Sequence, residues 1–211
     1  MTRRERGFRL PHAVYPIIDA GGATSGAPVA LAEALLDAGV RILQVRAKGA
    51  STRDLRDLAG AIQRRGAASA ALLVVNDRAD VARLVGAGGV HLGQTDLHPR
   101  DARSLLGPQA VIGLSTHDAD QVRAADDLDD IDYIGFGPVF ETASKLRPDP
   151  VQGIEGLRRV RALTTLPIVA IGGITPRTAA AVLEAGADAV AMIGAIASAD
   201  DPVAVVRPLM D

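Results

Sequence analysis

Leu72-Leu73-Val74-Val75-Asn76-Asp77-Arg78-Ala79-Asp80-Val81-Ala82-Arg83-Leu84-Val85-Gly86-Ala87-Gly88-Gly89-Val90-His91-Leu92 is one complete βα unit followed by the strand of the next. The apolar run Leu72–Val75 is continuous rather than alternating, as expected of a strand buried on both faces. Asn76-Asp77 ends it, a helical stretch runs over Ala79–Val85, and Gly86 stands where a helix should stop. The chain then enters Gly89–Leu92, a second buried strand, and leaves it through Gly93-Gln94-Thr95-Asp96.

The same grammar extends in either direction. Strands are predicted at Val14–Ile18, Arg41–Val45, Leu72–Val75, Gly89–Leu92, Ala110–Gly113, Tyr133–Phe136, Pro167–Ile171 and Ala189–Met192. Helices are predicted at Pro28–Ala38, Thr52–Arg65, Ala79–Val85, Pro99–Leu106, Ala119–Ala125, Gly153–Leu163, Pro176–Ala185 and Pro202–Leu209. Thr175-Pro176 and Asp201-Pro202 place a polar cap before a proline at the first helical position. Gly39, Gly66, Gly86, Gly107 and Gly186 mark helix ends. The segments 37–40, 85–90 and 184–190 repeat one pattern of helix end, tight turn and buried strand. Eight such units fill the 211 residues, and eight closes a (β/α)8 TIM barrel, compact against the usual ~250 residues. An open doubly wound sheet is the alternative. Residues 1–12 read as a short basic leader covering one end of the domain, and 13–211 as the barrel.

Composition narrows the function. Hydrophobic residues make up 48%, enough for a large core, but aromatics only 2%, so that core is built from Ala, Val, Leu and Ile. A net charge of -2 argues against a nucleic-acid binder, which needs a basic face. Absence of Cys removes disulfides, thiolate metal sites and a Cys nucleophile. No apolar run approaches the roughly 18 residues of a membrane span, and no apolar segment follows the basic start, so neither membrane insertion nor a secretory signal is expected. A cytoplasmic location is the expectation.

In a (β/α)8 barrel, chemistry sits where strands end and βα loops begin. After the second strand, Gln44, Arg46 and Lys48 alternate and point the same way; all three can donate to phosphate oxygens. Asp77 and Asp96 occupy equivalent positions in successive units. Each alone reads as a helix cap, but the pair suits one hard divalent cation shared with a substrate phosphate. Ser115 can hydrogen-bond a phosphate or cap the next helix, inside whose first turn His117 is expected. The long loop after the sixth strand carries Thr142, Ser144 and Lys145, and loops of this length are usually lids or binding loops. Gly172-Gly173 and Ile193-Gly194 form backbone turns after the last two strands, the habitual phosphate site of such barrels. The mouth thus has two anion-binding regions, one with carboxylates and cations for a metal-bound pyrophosphate, one with backbone donors for a monophosphate.

Several stretches together resemble the thiamine-phosphate synthase family from about Tyr15 to Pro202: QVRAK at 44–48, NDRADVA at 76–82, GVHLGQTD at 89–96, GLSTH at 113–117, DYIGFGPVFETASK at 132–145 and PIVAIGGI at 167–174. The resemblance implies condensation of 4-amino-5-hydroxymethyl-2-methylpyrimidine diphosphate with hydroxyethylthiazole phosphate, giving thiamine phosphate and pyrophosphate. It implies that Gln44, Arg46, Lys48, Asn76, Ser115 and Lys145 bind the pyrimidine diphosphate, with Arg46, Ser115 and Lys145 as the catalytic set. Asp77 and Asp96 would hold one Mg²⁺ per subunit. Thr142, Ser144, Gly173, Ile193 and Gly194 would hold the thiazole phosphate. A dissociative substitution agrees with a site lacking any obvious nucleophile or acid–base dyad, since the thiazole nitrogen attacks through a lone pair. Candidates for stacking on the pyrimidine are few: Tyr15, Phe136 and Phe140. Barrels of this size often pair, and a homodimer is expected.

This chain departs from the family in three places. The family usually has Ser where Gly194 stands, often Pro in place of Glu141, and often a basic residue in place of Leu146. Glu141 is reminiscent of the paralogous thiazole tautomerases, which would use His117 as an acid–base group. A non-catalytic phosphate-binding barrel is the third alternative. An isomerase has little use for Asp77, Asp96, Asn76, Arg46 and Lys145 together, which favours the transferase.

Overall fold

The computed structural model describes residues 3–21, 28–142 and 149–210. Its centre is a closed barrel of eight parallel strands in sequential order: β1 (Val14–Asp19), β2 (Ile42–Arg46), β3 (Leu72–Asn76), β4 (Gly89–Leu92), β5 (Val111–Thr116), β6 (Tyr133–Phe136), β7 (Ile168–Ala170) and β8 (Ala189–Met192). Closure is direct, Val14–Pro16 of β1 pairing with Val190–Met192 of β8. The (β/α)8 expectation holds, and the open sheet is excluded.

Around the barrel lie α1 (Arg3–Arg6), α2 (Pro28–Asp37), α3 (Thr52–Ala68), α4 (Ala79–Val85), α5 (Pro99–Leu106), α6 (Ala119–Asp126), α7 (Gly153–Arg161), α8 (Pro176–Glu184), α9 (Gly194–Ala197) and α10 (Pro202–Val206). Local chemistry sets their ends. The Asp201 carboxylate accepts from the N–H groups of Val203 and Ala204 at 3.0 and 3.1 Å, which caps the proline-started α10. Gly86 ends α4 in the left-handed conformation, at φ 68°. Gly66 does not end its helix as expected: α3 runs on through Ala67 and Ala68 to a cap at Ser69. Gly66 is buried there, and the Ala71 N–H bonds its carbonyl at 2.9 Å, so the small residue serves a close return of the chain.

Two apolar clusters follow from the alternation along each strand. The larger fills the space between strands and helices, with Leu35, Ile62, Ile112, Phe136 and Leu157 among its members. The smaller lies inside the barrel around Tyr15, Ile17, Ile42, Val74, Tyr133 and Val169. Phe8 and Leu10 pack against that inner cluster, the Phe8 ring 5.9 Å from the Tyr133 ring. At the end where strands begin, Asp132 receives Arg6 Nε at 2.6 Å, Arg103 Nη2 at 2.7 Å and the Ile112 N–H at 2.8 Å. A like arrangement recurs at Asp188, which receives Arg161 at 3.1 Å and the Ile168 N–H at 2.8 Å. Each aspartate precedes a strand and ties down an N–H at the start of the strand before it. Among the described residues no helix is long and apolar enough to cross a membrane.

Candidate active site

The strand ends open into a cavity of about 820 Å³. Gln44, Arg46, Lys48, Asn76, Asp77, Asp96, Ser115, Thr142, Gly173, Ile193 and Gly194 all line it. Ser144 and Lys145 lie outside the described residues.

On one side stand the charges. The strand register sets Asp19 of β1 beside Arg46 of β2, and the two side chains form an ion pair. This pair, unforeseen from the sequence, fixes the place of the guanidinium at the mouth. Asp77 is held in the left-handed region at φ 62°, its N–H bonded to the His91 carbonyl at 2.8 Å and the Arg78 N–H returning to the Asn76 carbonyl at 2.7 Å. A non-glycine residue there is uncommon and Asp is among the few that tolerate it; strain of this kind gathers at functional sites. The turn aims the carboxylate across at Asp96. Burial and then the Asp96 carboxyl beside it push the Asp77 carboxyl above its ordinary range, against the pull of Lys48 and Arg46. Lys48 Nζ stands 3.6 Å from Asp77 Oδ2. Neither carboxylate caps a following helix. Arg78 occupies the cap position of α4 without a side-chain bond, Asp96 Oδ2 takes the Gly93 N–H at 2.7 Å, and the His98 ring caps α5.

On the other side stand backbone turns. The loops after β6 and β7 are stitched by Val139 N–H to Ile171 O at 2.8 Å and Phe140 N–H to Gly172 O at 3.0 Å. A side chain on Gly173, whose φ is +62°, would come within 2.3 Å of the Glu141 carbonyl, so this approach requires glycine. Gly194 opens the short α9, and nothing lies within 4 Å of where its Cβ would be.

Three local expectations are corrected. Ser115 belongs to β5, which runs to Thr116, and is not a helix cap; Asp118 caps α6 by accepting from the Gln121 N–H at 2.8 Å. His117 therefore precedes that helix, with Nδ1 2.7 Å from the Gly137 carbonyl and Nε2 3.5 Å from Asp149. Phe136 packs in the outer core, and Phe140 packs against it, whereas the aromatic rings at the floor of the cavity are Tyr15 and Tyr133.

His91 lies within one of the family-like motifs but is not among the site residues expected from the sequence. It points into the barrel between Tyr133 and Ser115. Burial drives its pKa down to about 4, against the attraction of Asp96. Tyr15, sealed beneath it, is pushed up to about 12 by burial. The available signal was a polar residue two positions after Gly89 in an otherwise apolar strand, a position that alternation turns to the same side.

Facing carboxylates, neighbouring cations and glycine turns at the strand ends define a class: a (β/α)8 barrel whose mouth is furnished for phosphorylated ligands. Residues 14–196 match the family described as thiamine monophosphate synthase, and the chain belongs to that family. It is 44% identical over 191 residues to a thiamine-phosphate synthase of Koribacter versatilis, covering 89% of either chain. It is 43% identical over 202 residues to one of Laribacter hongkongensis, covering 95% of this chain and 94% of the other. Among solved structures it resembles thiamine phosphate pyrophosphorylase from Pyrococcus furiosus, with a TM-score of 0.80, 32% identity, and coverage of 92% and 91%.

Proposed function

We propose that this protein condenses 4-amino-5-hydroxymethyl-2-methylpyrimidine diphosphate with hydroxyethylthiazole phosphate, releasing thiamine phosphate and pyrophosphate. The observation that carries the reading is the division of one mouth into a charged half around Asp77, Asp96, Lys48 and Arg46 and a backbone half around Gly173 and Gly194. Two phosphorylated substrates need two anion sites of different charge within reach of each other. We take residues 13–211 as the catalytic barrel and 1–12 as a leader closing its far end.

The donor set fits Mg²⁺. The Asp96 carboxyl facing Asp77 disfavours charge on Asp77, and a hard cation between them would remove that repulsion. Among the described residues no group of three or more His, Cys, Asp or Glu could hold a metal, so water and the diphosphate would complete the coordination, as Mg²⁺ prefers. When bound, the ion would neutralise charge developing on the pyrophosphate.

The chain's own residues do the rest. The C–O bond to the diphosphate breaks with its electron pair leaving on oxygen, and the aminopyrimidine delocalises the positive charge left at its exocyclic CH₂. Arg46, Ser115 and, by the family resemblance, Lys145 stabilise the departing oxygens as charge accumulates. Gln44, Lys48 and Asn76 hold the diphosphate ester. Thr142, Ser144 and the turns at Gly173 and Ile193-Gly194 hold the thiazole phosphate so that the ring nitrogen faces the carbon. That nitrogen carries no proton, so its attack needs no general base. The same reading carries a cytoplasmic location and a homodimer, the latter checked by sedimentation.

The test is turnover of the purified protein with the two substrates, with Mg²⁺ and with chelator. Thiamine phosphate and pyrophosphate formed in equal amounts, and only with Mg²⁺, are expected. Folded protein that makes neither would transfer the weight to an isomerase acting through His117.

A further inference from the structure

Beneath the mouth a chain of polar atoms joins Gln44 to Ser115 through Tyr15, Tyr133 and His91, three residues with no part in the steps above. Gln44 Nε2 donates to the Tyr15 hydroxyl at 3.3 Å, and the Tyr15 and Tyr133 hydroxyls are 2.7 Å apart. The Tyr133 hydroxyl lies 3.0 Å from His91 Nδ1, and His91 Nε2 lies 2.9 Å from Ser115 Oγ. All five residues line the cavity; Gln44, Tyr15 and Tyr133 are buried at its floor, and the half-buried Ser115 ends the chain. Neighbouring strands are cut back to make room. A Cβ on Gly113 would fall 2.5 Å from His91 Nδ1 and from the Tyr133 oxygen, and one on Gly135 would fall 2.9 Å from His91 Cε1. Strand register brings these positions together: His91 pairs with Gly113, Gly113 with Tyr133, and Ser115 with Gly135.

The chain has a direction. An amide nitrogen can only donate, so the Tyr15 oxygen accepts from Gln44, which leaves its own proton available to Tyr133, the other hydroxyl within reach. Tyr133 then turns its proton to His91 Nδ1. A neutral imidazole that accepts at Nδ1 carries its proton on Nε2, and that N–H donates to Ser115 Oγ. The Ser115 proton is left pointing into the mouth. With the opposite tautomer, Nε2 would consume that proton and the Ser115 lone pairs would face the anionic ligand.

We propose that Tyr15, Tyr133 and His91 are positioning residues that fix the His91 tautomer and thereby hold Ser115 as a hydrogen-bond donor to the diphosphate. This rests on the proposed role of Ser115 in diphosphate binding. It assigns the buried tyrosines a function beyond packing, exerted about three hydrogen bonds away from the substrate.

Two measurements test it. Nitrogen-15 NMR of histidine-labelled protein without substrate should show His91 protonated at Nε2 and bare at Nδ1, and Tyr133→Phe should lose that preference. A kinetic double-mutant cycle should show Ser115→Ala lowering kcat roughly 10–100-fold, the scale of one hydrogen bond to a charged group, and Tyr133→Phe lowering it roughly tenfold. On the Ser115→Ala background, Tyr133→Phe should cost less than about twofold, because both changes remove the same donor. Additive losses would mean that Tyr133 only packs, and would overturn the proposal. So would a wild-type His91 protonated at Nδ1, or a Ser115→Ala variant with the wild-type kcat; in either case thiamine phosphate formed by the wild type would leave the proposed function standing. A wild type that forms no thiamine phosphate would remove the function and with it the role of Ser115, whatever tautomer the NMR finds.

Discussion

Asp132 and Asp77 are aspartates at opposite ends of one barrel, one set between two guanidiniums and the other facing a second carboxylate. Asp132 sits at the closed end between Arg6 and Arg103, its side chain 1% exposed and theirs 5% and 11%. Asp77 sits at the open end facing Asp96, in a strained backbone turn, pushed toward its protonated form by burial and by that neighbour. At the closed end charge is neutralised within the chain and contributes to stability. At the mouth the fold holds two carboxylates together, their repulsion only partly offset by Lys48 3.6 Å from Asp77, and an arriving cation would remove what remains. On the proposed function, identical residue types divide by location into structural and functional groups.

The sharpest way to break this comparison is Asp132→Asn. It takes away the buried carboxylate that Arg6 and Arg103 share, and removing one partner of a buried pair typically costs about 3–5 kcal/mol. Denaturant unfolding should show that loss, with kcat unchanged in the protein that remains folded. A stability indistinguishable from wild type would place the cluster outside the stabilising framework.

Asp77→Asn should give the converse. Asn tolerates the left-handed backbone at this position, so the turn survives while the charge goes. Turnover should fall about 10²–10³-fold, the scale of losing one preorganised electrostatic contact in an active site. Stability should stay level or rise slightly as the repulsion with Asp96 is relieved. A variant that loses stability and keeps its rate would reverse the assignment of the two ends.

Between the ends lies the buried layer of Tyr15 and Tyr133, which gives a pH signature. The Tyr15 hydroxyl keeps its proton in the folded chain up to about 12, against the ordinary value of 10.0. Between these values the unfolded chain releases a proton that the folded chain retains, so stability is unaffected below pH 10 and falls as pH rises toward 12. A displacement of that size corresponds to roughly 3 kcal/mol at the top of the window. Unfolding curves at stepped alkaline pH should show this limb in the wild type and a shallower one in Tyr15→Phe. An equal slope in the two proteins would mean that burial of the hydroxyl carries no linkage.

How far the sequence alone reaches differs along the same axis. Strand and helix runs were legible because strands buried on both faces are continuous apolar runs and their breaks are punctuated by Gly and capped prolines. Asp77 and Asp96 were legible as a pair because they occupy equivalent places in consecutive units. What could not be read depends on cross-strand register. The Asp19–Arg46 pair requires β1 and β2 to end level. The room for His91 requires Gly113 and Gly135 on the two following strands at its height. Ser115 looked like a cap because the polar run Ser115-Thr116-His117 resembles a helix start, yet Ser115 points into a barrel interior that is itself polar at this height. The Asp132 cluster joins Arg6 and Arg103, residues 126 and 29 positions away, which no local pattern connects.

The smallest effect concerns the backbone half of the mouth, where Gly173 and Gly194 look alike in sequence and differ in space. Gly194→Ser puts a side chain where nothing lies within 4 Å and adds a hydroxyl beside the proposed phosphate turn. A neutral hydrogen bond is worth about 0.5–1.5 kcal/mol, so KM for the thiazole phosphate should fall about 2–10-fold, with kcat and stability little changed. Gly173→Ser should do the opposite, because its φ of +62° and a Cβ contact of 2.3 Å with the Glu141 carbonyl force the turn apart. Steady-state kinetics with the thiazole phosphate varied, beside thermal unfolding, reads the pair. If Gly194→Ser leaves KM unchanged while Gly173→Ser raises it in protein that is still folded, the phosphate rests on the β7 turn alone. If both leave KM unchanged, the anion site lies elsewhere in the mouth, and the division into a charged half and a backbone half fails.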